Sequence, residues 1–99
     1  MEAAKILDIP ILATEQYPKG LGKTVPELEL DKFGVVPFSK TCFSMCGVPE
    51  LMFELESRSR DSVILCGIET HACIFHTTVD LLETGKFEVH VVADCCSSR

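Results

Sequence analysis

The chain has 99 residues, 46% apolar and 24% charged, which describes one small globular domain rather than a disordered segment. At this length folding removes roughly two-thirds of the unfolded surface, so a missing piece of the core is felt strongly. A net charge of −6 without any Lys/Arg run lacks the footprint of a nucleic-acid binder and argues equally against a membrane surface.

Helical and extended segments alternate along the chain, with no repeat, no low-complexity tract and no apolar run of membrane-spanning length. That alternation predicts an α/β domain. Residues 2–8 read as the last turns of a helix. Ile9-Pro10-Ile11-Leu12-Ala13 reads as a short buried strand whose proline suits its first positions. Residues 14–26 hold Pro18, Gly20, Gly22 and Pro26, a loop too long for a simple connection, and such loops in compact domains usually carry function. Val35-Val36-Pro37-Phe38 forms a brief extended piece leading into Lys40, and residues 48–57 have helical spacing with Pro49 in the first turn.

Ser62-Val63-Ile64-Leu65-Cys66-Gly67 is the clearest strand, apolar on both faces as a central parallel strand must be, and ended by Gly67. A helix follows from Thr70, its expected N-cap. Ala72, Phe75, Val79 and Leu82 fall on its apolar face, and Gly85 ends it. Residues 87–93 make the next strand and close a βαβ unit. In sheets of this kind ligands bind beyond the carboxyl ends of the strands. Glu15 with Gln16, Lys40, Glu69 with Cys73, and Asp94 stand at those ends.

Gly67-Ile68-Glu69-Thr70-His71-Ala72-Cys73 places one cysteine in the first turn of a helix, just past a buried strand. The unpaired N–H groups and the dipole there favour negative charge, so a thiolate at Cys73 gains support that an interior cysteine lacks. The bland alternative is a buried helix cysteine. The chain has six cysteines, at 42, 46, 66, 73, 95 and 96, with no secretory signal ahead of them; Cys66 reads as a small hydrophobe inside its strand. A reducing cytoplasmic compartment explains this usage better than a disulfide framework. Zinc held by Cys42, Cys46, Cys95 and Cys96 is opposed by the spacing, since adjacent cysteines rarely converge on one ion. Redox sensing by Cys95 and Cys96 is weak too, because a vicinal disulfide is strained and no resolving partner is evident in the sequence. His71 and His76 lie five apart and do not share a helix face. Cys73 and His76, three apart, offer a dyad that ranks below a lysine partner.

Four blocks carry a resemblance: Thr14-Glu15-Gln16-Tyr17-Pro18, Lys40-Thr41-Cys42-Phe43-Ser44-Met45, Gly67 through Ile74, and Val91-Val92-Ala93-Asp94-Cys95-Cys96-Ser97-Ser98-Arg99. Together, and in this order, they resemble the isochorismatase-like cysteine hydrolases, most of all the animal isochorismatase domain-containing proteins. The resemblance implies a doubly wound, Rossmann-like parallel sheet flanked by helices, spanning residues 1–99 as a single domain, and hydrolysis of small amides through an Asp, Lys and Cys triad. Carried over residue by residue, it assigns Cys73 as nucleophile and Lys40 as the triad lysine. An ammonium near a thiol favours the thiolate. The family's non-proline cis peptide maps to Ile68-Glu69, where the turn and the Cys73 N–H would form the oxyanion hole. Gln16, Tyr17 and Phe43 are the expected substrate-contacting residues.

The family aspartate stands at the end of a first strand with no counterpart in this sequence, and neither Asp8 nor Asp94 matches its position. A further helix and strand that follow in the family also have no counterpart, so the resemblance marks an incomplete fold. Exposed strand edges then predict marginal stability and association into a homo-oligomer. Two functions are expected: a cysteine hydrolase of a small amide or related carbonyl compound through an acyl-enzyme at Cys73, with turnover impaired, or a catalytically inactive binding or assembly module. No metal and no cofactor are expected. The nicotinamidase metal set of Asp and two His is not found here.

Overall fold

Pro10 and Pro37 lack a backbone N–H, and the first ladder of the chain forms only downstream of both. In the computed structural model, which describes residues 1–98 apart from the side chain of Pro18, the backbone divides into two compact units. One is Met1–Thr41 and the other begins at Cys42. Arg99, the last residue of the fourth sequence block, lies outside the described residues.

The first unit opens with helix α1 (Glu2–Ile6). Strand β1 (Thr14–Gln16) runs parallel to β2 (Phe38–Lys40), pairing Thr14 with Phe38, Glu15 with Ser39 and Gln16 with Lys40. The strand expected at 9–13 is therefore displaced to 14–16. Ala13 contributes one carbonyl, accepting from the Phe38 N–H at 2.9 Å, and Pro37 cannot extend the ladder further upstream. The long loop expected over 14–26 contains this strand and the short helix α2 (Pro18–Leu21). Two 3₁₀ turns, Pro26–Leu28 and Leu30–Phe33, fill the span to β2. Among the described residues of this unit, only Val35 and Lys40 are buried.

The second unit carries a 3₁₀ turn (Met45–Gly47), α3 (Pro49–Ser57), β3 (Ser62–Ile68), a wide π-type turn (Thr70–Ile74), α4 (Phe75–Glu83) and β4 (Glu88–Ser97). Pro49 starts α3 as its spacing predicts, because its fixed φ suits the first turn and no N–H is missed there. β3 and β4 pair in parallel. The unit's core is Val48, Leu51, Leu65, Ile74, Thr77 and Leu81. Leu81 is 2% exposed, and burying such a side chain is worth about 1.5–3 kcal/mol.

Three expectations change here. β3 is not buried on both faces: Leu65 points inward, while Ile64, Cys66 and Ile68 are exposed. Among the described residues β4 is its one ladder partner. Cys66 is accordingly no core hydrophobe. The helix begins one residue earlier than expected, with Glu69 at the N-cap and Thr70 already helical. Its buried stripe is Ile74, Thr77 and Leu81, whereas Phe75 and Leu82 are more than half exposed. The wide turn is the cause, since a bond spanning five residues shifts the phase of every later side chain. β4 runs four residues beyond Ala93, so Asp94, Cys95 and Cys96 lie within the strand rather than past its end.

Candidate active site

Two groups of side chains emerge, one in each unit. In the first, the β1–β2 ladder sets Gln16 beside Lys40, and the Lys40 Nζ donates to Gln16 Oε1 at 2.7 Å. Gln16 Nε2 donates in turn to the Thr41 carbonyl at 3.0 Å, which fixes the orientation of the amide. Lys40 is 6% exposed, so the surface lysine that its residue type alone suggests is not what forms. A neutral amide oxygen stabilises a buried ammonium without cancelling its charge. The backbone continues the ladder, with Tyr17 N–H donating to the Lys40 carbonyl at 2.8 Å; Tyr17 has φ +39° and its ring is 52% exposed. Glu15 accepts the Thr24 N–H at 2.6 Å, and that bond holds its carboxyl below the usual value of 4.5.

In the second unit Cys73 sits within the π-type turn that leaves β3. Gly67 takes φ +123°, a region closed to most side chains, and the Ile68–Glu69 peptide is cis. The Glu69 carbonyl then accepts from both Ala72 and Ile74 N–H groups at 3.1 Å, which widens the turn around Cys73. The Cys73 side chain is half-buried. Near it in sequence, Glu69 Oε2 lies 3.5 Å from His71 Nε2. Ser98 Oγ accepts from the His71 N–H at 3.2 Å and stands 2.9 Å from Nδ1, tying the end of β4 to the turn. Phe43, 56% exposed, stacks on His76 with ring centroids 5.8 Å apart, and Phe75 meets the same imidazole edge-on.

The structure thus groups Lys40 with Gln16 and Tyr17, and separately Cys73 with Ile68 and Glu69. Phe43 lies in the second unit, against His76. One contributor, Ser98, escaped the sequence reading, and Gln16 makes contacts that the reading did not foresee. Gln16 was expected to face substrate, yet its amide is engaged by Lys40 and Thr41; its register opposite Lys40 becomes readable only once β1 is set at 14–16. Ser98 had a signal, since it shares a sequence block with Asp94, but nothing in that block pointed to His71. Among the described residues no helix is long and apolar enough to cross a membrane.

The model of the isochorismatase domain matches residues 1–99, running across both units. Isochorismatase domain-containing protein 2A of Mus musculus is 60% identical over 100% of this chain and 46% of its own length. The human isochorismatase domain-containing protein 2 is 56% identical over the same shares. A solved structure of MAR1 ribonuclease from Caenorhabditis elegans is 52% identical and superposes with a TM-score of 0.83, covering 97% of this chain and 48% of that one. The chain therefore spans about half the length of the relatives it matches, with the parallel strands and flanking helices of their α/β fold. On this evidence the chain belongs to the isochorismatase domain family.

Proposed function

We propose that this chain carries the nucleophile and the cationic partner of an isochorismatase-like cysteine hydrolase acting on a small amide or related carbonyl compound. The observation that supports this most is the setting of Cys73, half-buried in the widened turn at the carboxyl end of a parallel strand. Helical turns of this width are frequent at functional sites, and strand ends of this kind are where ligands bind.

In the proposed reaction the Cys73 sulfur attacks the substrate carbonyl carbon, and the negative charge passes to the carbonyl oxygen. The Cys73 N–H and the backbone of the turn at Glu69 stabilise that oxyanion. The C–N bond then breaks, the amine leaves with a proton, and water hydrolyses the thioester. Lys40 is the lysine that the family resemblance assigns to the triad, and Gln16 Oε1 accepts from its ammonium within the first unit. Tyr17 and Phe43, both more than half exposed, are the candidates for substrate contact. A reducing cytoplasmic setting suits the six thiols.

A second reading, an inactive binding or assembly module that pairs with its own copies, is favoured by the exposure of Ile64 at 60% and Ile68 at 70% on β3. The ribonuclease name of the C. elegans structure raises RNA as a substrate, and a net charge of −6 weighs against a polyanion. One experiment separates these readings. Limited iodoacetamide labelling of the chain should modify Cys73 ahead of Cys42, Cys66 and Cys95, although those three are more exposed. Acyl transfer from small amides should leave an adduct on Cys73 that Cys73→Ser lacks. Labelling that merely follows exposure, with no adduct, would leave the assembly reading; cleavage of RNA that survives Cys73→Ser would refute the nucleophile.

A further inference from the structure

β3 and β4 bring three thiols to one stretch of the sheet. Leu65 faces Val91, but the ladder then resumes with Gly67 opposite Cys96 and Ile68 opposite Ser97, so β4 bulges over residues 92–95. Cys66 and Cys95 each stand one residue before the Gly67–Cys96 pair on their own strand, at the break in the register. Neighbouring strands lie about 4.8 Å apart, within the Cα separation of about 4.4–6.8 Å that a disulfide spans. Partial desolvation first, and then charge on Cys95 and Cys96, push the Cys66 thiol up. Both Cys66 and Cys95 are exposed, while Cys96 is half-buried opposite a glycine.

We infer that Cys66 and Cys95 are a redox modification site, forming a reversible cross-strand disulfide when a hydroperoxide is present. The resolving partner that the vicinal pair lacks in the sequence is supplied by the adjacent strand. The Cys95 thiolate attacks one oxygen of hydrogen peroxide and the O–O bond breaks. Its sulfur becomes a sulfenic acid, and the departing hydroxide takes a proton to leave as water. Cys66 then attacks the Cys95 sulfur, the S–O bond breaks, the S–S bond forms, and the second hydroxide leaves as water with the Cys66 proton. Two thiols lose two electrons and two protons, and one peroxide is reduced to two waters. The link ties β3 to β4 immediately before Gly67, where the chain enters the turn that holds Cys73.

The test treats the full 99-residue chain with hydrogen peroxide, blocks remaining thiols with iodoacetamide, and maps tryptic peptides by mass spectrometry. Cleavage after Lys86 separates the two cysteines. The expected product is a Cys66-to-Cys95 link within one chain, reversed by dithiothreitol and accompanied by two fewer alkylations. Cys66→Ser and Cys95→Ser should each abolish it and Cys42→Ser should not. Because the wild-type map is decisive alone, a variant that folds poorly does not blunt the test. A link through Cys73 or Cys96, a Cys95–Cys96 ring, a link between chains, or oxidation of both thiols without a link would each overturn the inference.

Discussion

Thr77 offers the sharpest test of how the second unit is held together. Its side chain is 1% exposed, and its Oγ1 accepts the Met45 N–H at 2.9 Å. One hydroxyl on α4 therefore pins the 3₁₀ turn that follows Phe43. Thr77→Val keeps the volume and removes the acceptor, so the amide of Met45 loses its side-chain partner. Taking one member from a buried hydrogen bond costs about 1–3 kcal/mol. A small domain has a urea dependence of about 1–3 kcal/mol per molar, so the unfolding midpoint should fall by about 1 M. Thr77→Ser keeps the oxygen and loses one methyl, at a cost of about 0.5–1.5 kcal/mol. These magnitudes overlap, so midpoints alone do not isolate the bond. Hydrogen exchange at the Met45 amide does: protection should collapse in Thr77→Val and persist in Thr77→Ser. A Thr77→Val chain with an unchanged midpoint and a protected Met45 amide would refute the argument. Equal loss of protection in both variants would show that packing, rather than the hydroxyl, holds the turn.

Two further outcomes follow from local geometry. Glu15 has its folded-state carboxyl lowered by the Thr24 N–H, so its contribution is present above the ordinary value of 4.5 and is lost as pH falls through the lowered one. Urea midpoints between pH 5 and 3 should therefore drop less steeply for Glu15→Gln than for the wild type, and parallel profiles would contradict this. Gly67→Ala meets only ordinary contact, with Ile74 Cδ1 4.0 Å from the added carbon, yet it forces a side chain to φ +123°. Thermal unfolding should register a loss of about 1–3 kcal/mol, and an unaltered melting temperature would show that the backbone relaxes there freely.

Elements whose signals are local were legible in the sequence. Pro49 announced the start of α3, and Gly85, with φ +70°, follows α4 where a helix-ending glycine belongs. β3 was readable from its apolar run, although its burial was not, because a run that is apolar on both faces says nothing about how many layers are present to cover it. β1 was misplaced because apolar content marked 9–13 whereas hydrogen-bonding capacity, limited by Pro37, decided 14–16. For the candidate site, Cys73 and Lys40 were visible as residue types in recognisable blocks. The Gln16 amide beside Lys40 was not, since a pairing of residues 24 apart depends on strand register. The placing of Cys66 and Cys95 beside the Gly67–Cys96 pair was hidden for the same reason: a bulge, which no periodicity predicts, sets it.

The doubly accepted carbonyl of Glu69 has a consequence for how this segment can diversify. An α-helix advances about 100° per residue, so a turn that accommodates one surplus residue rotates everything before it relative to everything after it. Cys73 lies inside the wide turn, and the stripe Ile74, Thr77 and Leu81 that anchors the helix begins at its end. The segment therefore behaves as a built-in one-residue insertion, decoupling the bearing of the thiol from the phase of the anchor. Deleting a residue there would turn the bearing of Cys73 while leaving the order of the anchoring residues Ile74, Thr77 and Leu81 intact.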